Sequence, residues 1–212
     1  GRFGCYSFYV TKNLTTGEGG MVTCNDKDDA NMLKILSEDG LSYDAWDRFN
    51  NKSYKHYNMV ELGFKYNMMD IQAAMGIHQL KKLDQNHQKR ESVWNRYNHA
   101  FKNLPIGIPS KVEKDTIHAY HLYQIFIDPA VSGITRDQFI DKIRARVIGV
   151  GIHYRSIPEH PFYQKTYGWK PEDYPKAMKL GRETVSLPMS PKLTEADVER
   201  IISTVKNIIL DK

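Results

Sequence analysis

Between Asp70 and Leu104 the sequence contains no proline, and apolar residues recur at helical spacing: Ile71, Ala74, Ile77 (or Met75), Leu80, Trp94, Tyr97, Phe101 and Leu104. Read as one helix rising 1.5 Å per residue, this stretch is roughly 50 Å long, longer than a small domain is wide. A rod of that length either links two domains or lies along an interface between copies. It therefore constrains the rest of the chain more than any other feature. Its middle, Lys81 to Glu91, is strongly polar and is expected to face solvent, and Pro105 and Pro109 end it.

The segments before the rod are short. Residues 5–10 are aromatic and β-branched and read as a strand. After Lys12 comes a tight connection holding Gly17, Gly19 and Gly20, then a second strand, Met21–Cys24. Residues 27–37 read as a helix with Ala30, Leu33, Ile35 and Leu36 on its apolar side. The stretch 38–66 is irregular and aromatic, with Trp46, Phe49, Tyr54, Tyr57 and Tyr66; it is too long for a bland turn. Beyond the rod, Ala119–Ile127 alternates as a half-buried strand, and Thr135 with Gln138 forms a capping box for a helix at 136–147. Gly149–Tyr154 reads as another strand. A last helix opens at the Thr194/Asp197 cap and carries Val198, Ile201, Ile202, Val205, Ile208 and Ile209 on one side. From residue 118 onward this is the pattern of a small α+β domain.

The net charge of +5 raises nucleic acid as a partner, but basic and acidic residues interleave and no basic arm forms. A mildly basic surface facing a phosphorylated substrate explains the balance equally well. No stretch approaches the ~18 consecutive apolar residues of a membrane span. The opening, Gly1 to Tyr6, is not a signal peptide and lacks an initiator Met, so the chain is expected to be processed or truncated. Cys5 and Cys24 lack metal-ligand spacing and are too few for a disulfide scaffold, so both are expected to be buried thiols of a reducing cytoplasm. No metal site is expected.

Lys12 lies between a strand and a glycine-rich loop, where ligands bind in α/β folds. Free lysine, with a pKa near ~10.4, is a poor nucleophile at neutral pH, and by position alone a surface lysine is the competing reading. The Gly17–Gly20 loop suits either a phosphate cradle or a hairpin turn, and it is not a P-loop because no Gly-Lys-Ser/Thr follows.

Four blocks, spread over nearly the whole chain and in order, carry a family resemblance. They are Ser7–Gly20; Glu61–Met68 with Asp70–Ala74; Gly151–Tyr154 with Pro158, His160 and Tyr163; and Ser186–Met189 with Pro191 and Leu193–Glu195. Together they resemble the DegT/DnrJ/StrS sugar aminotransferases, which use pyridoxal phosphate (PLP). The resemblance implies an α/β chain that is a partial PLP-transferase of fold type I: residues 1–66 the C-terminal part of the large PLP-binding domain, 67–104 the long linking helix, and 105–212 the small C-terminal α+β domain.

By the same resemblance Lys12 holds the cofactor as a Schiff base and shuttles the proton, and Ser7 bonds its phosphate. Asn67 reaches the phosphate of the neighbouring subunit's cofactor, so each site is shared across a homodimer. Tyr154 and His160, with His153 beside them, fall in the block that approaches the sugar, and Tyr66 is a further substrate contact, as are Trp46 and Arg48. Plainer readings stand beside these: a backbone-bonded hydroxyl for Ser7, a helix-start residue for Asn67, packed histidines for His160, His118 and His121. The implied reaction moves an amino group, from glutamate, to a nucleotide-linked keto-sugar in the cytoplasm, with neither nucleic acid nor membrane as partner. A sugar dehydratase, which in this family carries histidine in place of the lysine, and a non-catalytic dimerising remnant are the alternatives. Family members also carry a segment before the lysine block that supplies an aromatic residue stacking on the cofactor ring and an Asp that keeps its nitrogen protonated. No Asp of this chain matches it. Little activity is therefore expected of the chain alone, with strand edges left open to pairing with another chain.

Overall fold

A computed structural model of the chain describes residues 1–42 and 57–210. The chain divides into two compact units, Gly1–Leu83 and Asp84–Lys212. Trp46, Arg48, Phe49 and Tyr54 lie outside the described residues.

In the first unit β1 (Phe3–Ser7) and β2 (Gly20–Cys24) form an antiparallel hairpin, with Cys5 opposite Val22 and Ser7 opposite Gly20. Helix α1 (Lys27–Ser37) follows at once. Asp26 caps it, its carboxylate accepting from the Asp29 N–H at 2.9 Å. Ala30, Leu33, Ile35 and Leu36 are half-buried, the shallow seat of a helix on a two-stranded hairpin. The chain returns beside the end of α1 through single bridges, Glu38 to Lys65 and Leu41 to Met59, and enters α2 (Asp70–Leu80). The hairpin's apolar side chains remain open: Tyr6 is 56% and Met21 54% exposed. Cys5 is exposed and Cys24 half-buried, which corrects the expectation of two buried thiols.

The second unit holds the core. Helix α3 (Leu83–Phe101) buries Val93, Trp94, Tyr97 and Phe101. Strands β3 (Tyr123–Phe126) and β4 (Thr184–Leu187) pair antiparallel, Tyr123 opposite Leu187, and β4 is buried throughout. Between them run α4 (Pro129–Ser132), α5 (Arg136–Arg144), α6 (Pro161–Tyr167) and α7 (Pro175–Glu183), and α8 (Glu195–Leu210) closes the chain. The capping box at α5 forms in full: the Gln138 N–H donates to Thr135 Oγ1 and the Thr135 N–H to Gln138 Oε1. All six apolar residues of the expected stripe on α8 are buried. Tyr97 and Tyr123 meet edge to face at 4.9 Å; their hydroxyls donate to the Pro188 carbonyl and to Asn98 Oδ1. Burial pushes both phenols above their ordinary pKa, because the phenolate would be the desolvated form.

The single long rod does not exist. The helix ends at Leu80, the Lys82 N–H turns back to the Gln79 carbonyl at 3.1 Å, and α3 starts at Leu83. No proline or glycine forces this break. The break falls at Lys81 and Lys82, both exposed, while the polar residues from Asp84 to Glu91 continue as helix in α3. Nor is that polar stretch all solvated: Arg90 is buried, donating to the Met189 carbonyl at 3.0 Å, and burial lowers its pKa. Residues 149–154 form only a single bridge, Gly151 to Ser186, instead of a strand. The first strand stops at Ser7 because Phe8 bonds across to Gly19 and Thr16, and the strand expected at 119–127 narrows to Tyr123–Phe126.

Candidate active site

Lys12 sits on a turn fixed from both ends. Its N–H donates to the Tyr9 carbonyl at 2.9 Å; the Phe8 N–H donates to the Gly19 carbonyl, and the Phe8 carbonyl accepts from the Thr16 N–H. Thr16 is 2% exposed, the most buried residue of this turn, and its hydroxyl donates to the Glu18 carbonyl at 2.6 Å. Gln72 of α2 donates to that same carbonyl at 2.8 Å. A Cβ on Gly19 would overlap Thr16 Oγ1, so glycine is required there for contact as well as for its φ of 153°. The Gly17 N–H is taken by Thr15 Oγ1, which makes the loop an internally bonded hairpin connection. Lys12 itself is half-buried, and Ser7 is exposed at the end of β1, its Oγ accepting a long 3.4 Å contact from the Tyr9 N–H. The result is a primary amine on a rigid turn and an exposed hydroxyl on the adjoining strand.

Asn67 and Tyr66 lie on the segment entering α2. Both are exposed, and Tyr66 stacks on Phe64 with centroids 5.0 Å apart and planes 6° apart. Asn67 does not cap the helix: α2 starts three residues later, and the Met69 N–H is met by Gln72 Oε1 at 3.0 Å. Asn67 and Tyr66 line a cleft of about 900 Å³ together with Tyr6, Cys24 and Leu33; neither Lys12 nor Ser7 lines it.

Tyr154 and His160 belong to the second unit. Tyr154 is 73% exposed and meets His153 edge-on at 4.8 Å; His160 is exposed and precedes α6. His153 is the better held group. Its Nδ1 pairs with Ser186 Oγ at 2.8 Å, and Gln124 donates to its carbonyl at 2.6 Å. His118 acts structurally, accepting from the Tyr120 N–H and packing on Trp94. Thr16, Gln72 and Ser186 were assigned no role from the sequence, although all three fall within the family blocks and Ser186 opens the last of them. Gln72 left a further signal there, as an amide side chain in the first turn of a helix.

The sequence matches the family model of the DegT/DnrJ/EryC1/StrS aminotransferases across residues 1–206. The chain belongs to this aminotransferase family. An uncharacterized protein of Methanocaldococcus jannaschii, MJ1066, is 43% identical over 204 residues, and the spore coat polysaccharide biosynthesis protein SpsC of Bacillus subtilis is 40% identical over 205. Each match takes in 96% of this chain and 53% of the relative, so the chain spans about half the length of these family members. Among solved structures, the sugar aminotransferase Spr1654 of Streptococcus pneumoniae in its PMP form is similar, with a TM-score of 0.88 at 28% identity; the similarity covers 99% of this chain and 53% of that one. The same protein has also been solved in its PLP form. The α/β fold of this chain is thus that of part of a family member.

Proposed function

We propose that the protein of which this chain forms part is a PLP-dependent sugar aminotransferase, moving an amino group from glutamate onto a nucleotide-linked keto-sugar. The observation that carries the proposal is the family match over residues 1–206 with a lysine, Lys12, on the fixed turn of the family's lysine block. SpsC, a relative named for polysaccharide biosynthesis, supports a sugar substrate.

The residues fit the cofactor chemically: the amine of Lys12 suits its aldehyde carbon, and the hydroxyls and amides of Ser7 and Asn67 suit its phosphate. When bound, PLP supplies the electron sink that amino-group transfer needs. Lys12 Nζ is then the base that takes and returns the proton of the reacting carbon, and the bonded turn fixes the backbone from which that side chain reaches. Tyr66, Tyr154 and His160 are assigned to the sugar nucleotide. Residues 1–83 supply the lysine side of a fold-type-I large domain, and residues preceding the lysine block in relatives supply the remainder. A homodimer that shares Asn67 between sites is supported by α2, none of whose residues is buried, with Ile71 75% and Leu80 59% exposed.

The test is to load the intact protein with PLP, reduce it with borohydride, and map the modified lysine by mass spectrometry. Labelling is expected at Lys12 alone; scattered labelling of surface lysines sinks the assignment. Incorporation of labelled amine from glutamate into a keto-sugar nucleotide is then expected, whereas water loss without amine uptake would make the protein a dehydratase.

A further inference from the structure

Gly40 and Gly63 meet backbone to backbone. A Cβ on Gly63 would overlap the Gly40 nitrogen, and a Cβ on Gly40 would overlap the Glu61 carbonyl oxygen. Both obstacles are main chain, so no rotamer change relieves them. Gly40 also needs its φ of 75°, whereas Gly63 has no left-handed φ; its missing side chain serves the contact alone.

Around this contact the returning segment is bonded to the end of α1. The Phe64 N–H donates to the Leu36 carbonyl at 2.7 Å, the Tyr66 N–H to Ser37 at 2.9 Å, and the Asp39 N–H to Phe64 at 3.0 Å. No residue from 57 to 69 is buried, so no core side chain anchors the segment. Main-chain bonds hold it, and they form only while the two glycines let the strands approach.

We propose that the Gly40–Gly63 contact is a positioning latch that fixes the register in which Tyr66 and Asn67 are presented to the cofactor phosphate and substrate. The inference rests on the roles proposed above for those two residues. Gly40 and Gly63 touch neither cofactor nor substrate; they act through the segment they hold.

The experiment is Gly63→Ala in the intact protein, with Gly133→Ala as control, because Gly133 has a left-handed φ of 77° with nothing within 4 Å of an added Cβ. Hydrogen exchange is read on the apo protein and PLP affinity by titrating the cofactor absorbance. Gly63→Ala is expected to speed exchange at the Phe64 and Tyr66 amides by ten-fold or more and to weaken PLP by roughly 10- to 100-fold, as expected when a binding group is displaced by about 1 Å. Gly133→Ala is expected to lower the melting temperature and leave affinity unchanged. On an Asn67→Ala background, Gly63→Ala should add less than about two-fold, because the two act in series. Unchanged exchange at Phe64 and Tyr66 overturns the latch, as does faster exchange with unchanged affinity. If Asn67→Ala alone leaves PLP affinity unaltered, the role of Asn67 falls, and the latch survives only if Gly63→Ala weakens binding of the sugar nucleotide, through Tyr66.

Discussion

Thr16 shows how one hydroxyl can organise a turn. Its side chain is enclosed, its Oγ1 donates to the Glu18 carbonyl, and its methyl packs where a Cβ on Gly76 would come within 3.1 Å. Replacing it with valine keeps the shape and removes the donor, leaving the Glu18 carbonyl to Gln72 alone. Thr16→Val should lower stability by about 1 kcal/mol, the usual net worth of one such bond. Urea unfolding monitored near Tyr9 should read the change, and Thr16→Ser, which keeps the donor, should recover most of it; equal losses in both variants would assign the effect to packing. Lys12 stood out in the sequence as a residue beside glycines, whereas Thr16 did not, because its burial depends on contacts with residues sixty positions away.

Helix ends were the most legible elements, since capping depends on side chains two or three positions apart. Thr135→Ala should cost about 1 kcal/mol at α5. Asp197 at α8 adds a pH dependence. Hydrogen bonds from the Thr194 hydroxyl and N–H hold its carboxyl below the usual range. Its folded pKa therefore lies under the unfolded value near ~3.9. That contribution is present above the unfolded value and is lost as pH falls through the folded one. The drop in urea midpoint below about pH 4 should be shallower in Asp197→Ala, and parallel acid limbs in both proteins would refute the linkage. What the sequence hid was the break in the helix. Lys81 and Lys82 are good helix formers, and no residue at the turn between α2 and α3 marks it in the sequence. Strand β4 was hidden for a different reason: Thr184–Leu187 alternates polar and apolar, but four residues are the shortest run that reads as a strand, and all four are buried. Helix α2, apolar yet uncovered, carries the element's own prediction. Under the homodimer proposed above, Ile77→Asp should shift the intact protein from dimer to monomer in sedimentation, and an unchanged dimer would remove α2 from the interface.

At the scale of the whole chain the two units are unequally built. Every buried hydrophobic side chain among the described residues lies between Val93 and Ile209, and in the first unit burial falls on small groups such as Thr16 and Gly40. Burial of apolar surface is the main favourable term in folding, so stability should divide the same way. In this 212-residue chain the amides of Tyr123–Phe126 and Thr184–Leu187 should exchange only through global opening of the second unit. Those of Phe3–Ser7 and Gly20–Cys24, on an open hairpin, should exchange through local opening at far lower cost. Limited proteolysis should therefore cut first within residues 1–83 and leave a resistant fragment beginning near Asp84. Comparable protection across both units, or a resistant fragment that retains the hairpin, would mean that residues 1–83 are stabilised by contacts between copies. The apolar side chains on β1, β2 and α2 would then be the interface that supplies them.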